Sequence, residues 1–500
     1  MARKLALATG LFAFTLTHLV QAGPTRLYGY DAWSLGRAGQ QAVFGRSATV
    51  LYSNPALLVD VAEQFTAGFI LLQPSATVQL MSRPENADIP ITFYDSDVGI
   101  EGQNLDRPLP TAELPTTRAD NHQDAAGGYL GIGLVHSLGI DDFRLGLLLL
   151  MPASGLLSVK SWYPDERDQY FGNTVHFTRF AEWSQVFSFS LGLAWQPWRQ
   201  LSLGAAAEGS LLVAATLDAY VPEATVQDYA LANMSMDAKL NLRAVIGISA
   251  RPLDWLRLSL VWRDRRFNKV EADAYLKLWN YHEAGDATKP KLVHQRHLLA
   301  IDFEPMEINL AAGVELGAFT AEAGVSWNHW SDYLDPHHQR GQEAAVFEPV
   351  NPGDQPVDGS RFTFSDTWSL GAAGAFEYLE GFTVTAGVSY RPTPVPAQVG
   401  RTSYADNDML CVALGHRFAF ELFARRLVVD VGLELARLLP ATVHKDPALI
   451  RDEFADRART LIGSQPMPEA TGLQTNNPGF PGYSFSGWLF AAAATVTYLF

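Results

Sequence analysis

Cysteine is almost missing from this chain: Cys411 is the only one in 500 residues, so no intramolecular disulfide can form. Long apolar runs are missing as well. Past the first twenty or so residues, no stretch of about 18 apolar residues occurs, which excludes a helical membrane span. Basic residues are scarce: 37 Lys and Arg stand against 53 Asp and Glu, for a formal net charge of −16. A nucleic-acid partner is therefore not expected, because phosphate binding needs clustered cations. The Gly-x-Ser-x-Gly elbow, the P-loop and the His-Glu-x-x-His metal motif are all missing. No catalytic residue, metal site or cofactor is assigned, and the chain is not read as an enzyme. His337-His338 reads as solvated loop. There is also no Pro- or Ser-rich linker to divide so long a chain into domains.

What is present begins with a secretory signal. Arg3 and Lys4 precede an apolar stretch from Leu5 to Val20, and Val20-Gln21-Ala22 offers small residues at the cleavage positions. The expected organisation is a signal peptide over 1–22, a hatch over 23–62 and a barrel over 63–500. Gly23, not Cys, stands directly after Ala22, so a lipid anchor is not expected.

Nearly half the residues, 48%, are hydrophobic, and they alternate. From Trp183 one face reads Trp183, Gln185, Phe187, Phe189, Leu191, Leu193, Trp195, while the other reads Glu182, Ser184, Val186, Ser188, Ser190, Gly192 and Gln196. The pattern returns over Leu240–Ile248, Leu256–Trp262 and Leu427–Leu435. Side chains alternate across a strand, so each segment has one apolar and one polar face. The apolar faces tend to end in Trp, Tyr or Phe, as interfacial girdles do, and the polar faces mix Gly, Ala and Ser with isolated charges. The final strand places Trp488, Phe490, Val496, Tyr498 and Phe500 on one side. Short turns near Gly139–Asp141, Gln196–Arg199, Arg251–Asp254, Leu316-Gly317, Leu379–Gly381 and Ala424–Arg426 alternate with long polar segments, among them Thr216–Met236 and Asn280–Gln295. The fold predicted is an all-β transmembrane antiparallel barrel of about fourteen strands. The competing reading is a soluble β-sandwich with the apolar faces turned inward.

Residues 23–61 lack the alternation and are rich in small side chains. A plug inside the lumen fits them; a periplasmic tail is the alternative. Here the sequence resembles the FadL family of outer-membrane long-chain fatty acid transporters. Ser34-Leu35-Gly36-Arg37-Ala38-Gly39 followed by Asn54-Pro55-Ala56-Leu57-Leu58 is similar to that family's N-terminal hatch motif. Trp327-Asn328-His329-Trp330-Ser331, Ser365–Trp368, Thr393–Pro396 and Asp406-Asn407-Asp408 resemble its later stretches, in the right order. Two departures stand out: Gly45-Arg46-Ser47 replaces an acidic stretch, and Met409 replaces a basic residue.

The resemblance implies a bacterial cell outer-membrane channel that binds long-chain fatty acids or other hydrophobic molecules and releases them past a hatch. The hatch motif would be Gly36, Arg37, Ala38, Asn54, Pro55 and Ala56. Leu156, Leu157, Val159, Trp162 and Tyr163 are candidates for an outer apolar groove, and Leu27, Tyr28, Tyr30 and Trp33 for an inner pocket. Gly146 is the candidate for a bend in the third strand. The inward charges Glu182, Glu208, Arg243, Arg257, Arg263, Glu322, Asp430 and Glu434 are expected to pair with each other and with Arg37 or Arg46; binding a carboxylate head group is the alternative. Further partners implied are outer-membrane lipid and lipopolysaccharide, and the barrel-assembly machinery through Phe500. A monomer is expected. A surface scaffold or secretion partner is the competing function.

Overall fold

The computed structural model describes residues 29–82, 121–123, 127–153, 157–158, 185–221, 231–283, 286–333, 363–400, 402–422, 425–450 and most of 473–500. Fourteen strands form one sheet. They are β1 (Gln64–Leu80), β2 (Gly127–His136, preceded by Asn121–Gln123), β3 (Phe143–Pro152, continued by Leu157–Ser158) and β4 (Gln185–Trp198). Next come β5 (Leu201–Val221), β6 (Leu231–Leu253), β7 (Leu256–Arg263 and Arg266–Glu283) and β8 (Asp286–Glu304 and Met306–Leu316). The remainder are β9 (Phe319–His329), β10 (Thr367–Leu379), β11 (Phe382–Arg391), β12 (Met409–Leu422), β13 (Arg425–His444) and β14 (Gly482–Leu499).

Each strand pairs antiparallel with its sequence neighbour, and β14 returns to β1 from Gln64↔Leu499 to Leu80↔Tyr483, which closes the barrel. A single short parallel pairing is described, where the extension of β7 meets β5 over Ala274–Leu276. Closure removes every free strand edge, the condition for crossing lipid. Tight turns hold one rim together, and Gly139, Gly317 and Gly381 take the positive φ those turns require. Two segments expected to be long loops are strand instead. Thr216–Met236 lies largely in β5 and β6, and Asn280–Gln295 lies in β7 and β8 apart from the connection between them. Beyond the lipid a hairpin no longer needs an apolar face, so polarity misread these extensions as loop.

The alternation faces outward as apolar. Leu191, Leu193, Leu240, Leu242, Ile246, Leu414, Leu433 and Phe490 are all exposed, and so are Leu370, Val388 and Val412. In water each such side chain would forfeit roughly 1.5–3 kcal/mol. A continuous belt of them belongs in lipid. Trp195, Trp198, Trp255, Tyr378 and Tyr498 edge the belt near the turns, and Trp368 and Trp488 edge it on the loop side. Trp488 and Tyr498 lie about ten residues apart on β14, so about 33 Å of strand tilted by about 40° rises about 25 Å. That matches the apolar band of an outer-membrane barrel.

The N-terminal segment packs against the inner wall. Its elements are α1 (Ala32–Leu35), α2 (Val50–Ser53) and a 3₁₀ turn at Pro55–Asp60. Asp31 caps α1 by accepting from the Ser34 amide at 2.8 Å, and Asn54 caps the 3₁₀ turn by accepting from the Ala56 amide at 3.0 Å. Helix α1 lies against β12, β13 and β14, and the 3₁₀ turn lies against β4, β5 and β6.

Candidate functional site

Two parts of the lumen differ in construction. On the turn side, the N-terminal segment sits in notches made by inward glycines. A Cβ on Gly204 would strike the Pro55–Ala56 backbone, and one on Gly247 would strike Asn54 Oδ1. A Cβ on Gly387 would strike the Arg37 backbone, and one on Gly432 would strike the Ala32 carbonyl. Glycine in these strands thus marks close backbone approach. Gly146 belongs to the same set: a Cβ there would lie 2.8 Å from Leu58 Cδ2. The ladder runs through Gly146 without a register shift, pairing it with Val135 and Gly192.

Polar contacts fix the same segment. Asn54 is fully buried and donates to Ser259 Oγ at 2.8 Å and to the Ala42 carbonyl at 3.1 Å. Arg37 is also fully buried, donates to the Gln40 carbonyl at 3.0 Å and pairs with Glu322 at 3.4 Å. Glu322 accepts the Phe44 amide at 3.0 Å. The Gly36 carbonyl accepts from Thr385 Oγ1 at 3.1 Å, and the Ala38 carbonyl accepts from Arg391 at 3.3 Å. Ala38 itself has a φ of 52°. Gly36, Arg37, Ala38, Asn54, Pro55 and Ala56 therefore all meet the wall, the first three at β9 to β13 and the last three at β5 to β7.

Trp33 is packed rather than open. Its indole donates to the Phe44 carbonyl at 2.8 Å, and the guanidinium groups of Arg37, Arg46 and Arg417 stand 5.1, 4.8 and 4.4 Å from its ring. Burial, together with Arg417 and Arg37, pushes Arg46 down to about 10. Arg417 is neutralised by Asp430 at 2.7 Å. Tyr30 packs at a tilt against Tyr52 with ring centroids 3.9 Å apart, and burial raises its hydroxyl well above the usual range. Leu27, Tyr28, Leu156, Val159, Trp162 and Tyr163 lie outside the described residues, and of Leu157 only the backbone pairing with Val186 is described.

Above the segment, a ring of buried charges crosses the wall. Arg243 binds Glu208 at 2.7 Å and Glu304 at 2.6 Å, while Arg266 binds Glu208 at 3.1 Å and Glu304 at 2.6 Å. The four charges balance, as buried ions must. Arg263 pairs with Glu307 at 2.8 Å, donates to the Tyr52 carbonyl, and stands 3.7 Å over the Tyr52 ring. Arg257 binds Asp60 at 3.3 Å and Glu315 at 2.8 Å. The expected pairing is seen for Glu208, Arg243, Arg257, Arg263, Glu322 and Asp430, whereas no ion pair of Glu434 is found among the described residues and Glu182 lies outside them. The partners Arg266, Glu304, Glu307 and Arg417 were not anticipated, because register alone brings them opposite.

On the loop side lies a cavity of about 150 Å³. Its floor is Gly39–Ala42 with Tyr52 and Ser53, and its wall is the inner face of β8 to β11. Two neighbouring rows across the strands build that wall. Arg263, Glu307, Asn328 and Thr367 pair in succession, as do Asn309, Ser326 and Ser369. Asn309 donates to Ser326 Oγ at 2.7 Å, and Asn328 to Ser369 Oγ at 3.3 Å. Trp330 closes one side and belongs to a buried aromatic cluster with Phe303, Tyr333, Phe364 and Tyr404. Tyr333 and Phe364 stack at 4.3 Å. Neither Tyr30 nor Trp33 lines this cavity.

No protein-family model and no curated protein matches the chain. Solved structures do. A FadL homologue of Pseudomonas aeruginosa is 12% identical with a TM-score of 0.56, over 94% of this chain and 98% of that one. A deltaS2S3 mutant of the TodX monoaromatic hydrocarbon channel is 14% identical with a TM-score of 0.51, over 95% of this chain and 100% of that one. The chain has the fold of the FadL-type channels: a closed barrel of fourteen antiparallel strands with an outward apolar belt.

Proposed function

We propose that the protein is an outer-membrane channel that binds hydrophobic small molecules, long-chain fatty acids among them, and passes them inward by a shift of residues 23–62 acting as a hatch. One observation carries this reading: a barrel belted for lipid has its turn-side lumen occupied by a notched, hydrogen-bonded segment, with a cavity and an aromatic cluster on the loop side. A polar porin would instead need an open aqueous lumen. Binding followed by release suits solutes that leave water readily, since each buried methylene is worth roughly 0.8 kcal/mol. The similarity of fold to a hydrocarbon channel supports the same class of cargo.

The test is uptake of radiolabelled oleate and toluene by cells producing the full chain or a chain lacking 23–58. The intact protein gives saturable uptake of at least one of them. The deletion abolishes saturation and raises permeability to unrelated small antibiotics. Identical uptake kinetics in both strains would defeat the hatch role.

A further inference from the structure

A guanidinium interrupts the apolar belt on the loop side. Along β13 the outward positions read Val431, Leu433 and Leu435, all exposed, and the next is Arg437. Arg437 shares their face, since Ala436 and Leu438 on either side of it are buried in the core. It pairs across the ladder with Trp488, and its guanidinium stands 4.6 Å over the indole. Trp488 marks the loop-side edge of the belt. Arg437 therefore lies where acyl chains give way to headgroups, a depth at which a lipid-facing arginine is tolerated.

No carboxylate pairs with Arg437 among the described residues. Its hydrogen bond goes to the Gly487 carbonyl at 3.4 Å, a long contact. Nε and Nη2 have no partner in the protein and are not sealed from the surroundings. Asp408, just before β12, gives its two oxygens to the Tyr390 hydroxyl and to the Thr393 amide, the latter at 2.9 Å. The outer face beyond Trp488 turns polar. Ser75 pairs with Trp488 and Gln79 with Ser484, and Ser486 lies between them on the same side of β14. Ser75 and Gln79 are exposed.

We infer that Arg437, seated on Trp488, is a docking point for a phosphate of lipopolysaccharide, with the guanidinium fork meeting phosphate oxygens and Ser75, Ser486 and Gln79 at the level of the sugars. Long loops mark the loop side as the cell exterior, and the lipid of that leaflet carries phosphates at its headgroup boundary. A planar fork suits phosphate better than a point charge does. Long aliphatic stems let such a head reach the headgroup layer while the stem covers apolar surface. With a net charge of −16 the chain as a whole is repelled by an anionic leaflet, so an outward cation is where the two attract. The inference needs the membrane barrel and is independent of what the channel carries.

The test is native mass spectrometry of the full chain, stripped of copurified lipid and held in detergent micelles. Lipid A with its phosphates and the same lipid A after dephosphorylation are added in equal amounts. The expected result is about five-fold more of the phosphorylated form bound, the scale of one basic side chain at an anionic lipid surface. Arg437→Gln brings the ratio towards one, and Arg437→Lys leaves it between the two. Arg425→Gln, at the opposite rim of the same strand, leaves it unchanged. Heat-modifiable gel mobility verifies that each variant is folded. Should Arg437→Gln not fold, the ratio in the unaltered protein and in Arg437→Lys still decides. Equal binding of the two lipids by the unaltered protein overturns the inference, as does a preference that survives in Arg437→Gln or falls equally in Arg425→Gln. A dimer that dissociates in Arg437→Gln while the lipid ratio stays put also overturns it, in favour of a second copy of the chain as the partner.

Discussion

The two halves of the lumen contrast in how they treat polar groups. On the turn side, contact is close enough to require glycine in the wall, and Asn54 spends both amide hydrogens and its carbonyl within the protein. On the loop side, Asn309 keeps an oxygen unused and the wall stands back to leave a cavity. Asn54 is fully buried, whereas Asn309 is only partly so. A polar side chain with every group satisfied locates one piece of backbone against another.

The contrast is broken most severely by filling the notches. The double variant Gly204→Val and Gly247→Val should displace the 3₁₀ turn, because its Cβ atoms would overlap Ala56 and Asn54. Saturable uptake should vanish and antibiotic sensitivity should rise, while the strands, whose outer faces are untouched, still give heat-modifiable mobility. Next comes the charge ring that spans the boundary between the halves. Arg243→Leu leaves Glu208 and Glu304 each short of a partner, and about 3–5 kcal/mol should be lost from unfolding in urea with the protein in lipid vesicles. A smaller loss, about 1–3 kcal/mol, is expected for Asn54→Ala, which strands its partners and removes the cap. Transport should suffer more than folding in that variant, since the segment is loosened while the barrel is intact.

The smallest effect sharpens the comparison on the loop side. Lys445, just past β13, donates to the Thr402 carbonyl, and burial pushes its ammonium down to about 7. Between pH 7 and the ordinary lysine range the opened form binds a proton that the closed form does not. Closure around Lys445 therefore strengthens as pH rises through that window, and below about pH 7 the full cost of the buried charge is present. Hydrogen exchange of 402–405 and 443–446, corrected for intrinsic rate, should slow accordingly, and Lys445→Met should flatten the dependence. The same profile in both proteins would remove Lys445 as its source.

Legibility in the sequence follows physical range. The barrel was readable because alternation is local: Leu427 to Leu435 declare two faces within nine or so residues. The strand number followed from turns that are equally local. Charge pairing was readable in kind, since isolated charges such as Glu208 and Arg243 on small-residue faces need partners. The cavity was not. Asn309, Ser326 and Ser369 look like ordinary inward polar positions until pairing sets them in one row. Tyr30 and Trp33 read in sequence as pocket-lining because they are large and aromatic, yet Tyr52 covers one and three guanidinium groups surround the other. Nothing in spacing announces a cation cluster drawn from residues as distant as Arg37 and Arg417.

The seam between β1 and β14 bears on assembly order. It joins Gln64 to Leu499, a sequence separation far beyond that of any hairpin in the wall, so its closure entropy is the largest of all the strand pairings. The N-terminal segment enters directly from β1, at that seam, and helix α1 rests on β14 through the Ala32 amide and Thr495 Oγ1 at 3.1 Å. A ring zipped shut beforehand would leave this segment no lateral way in.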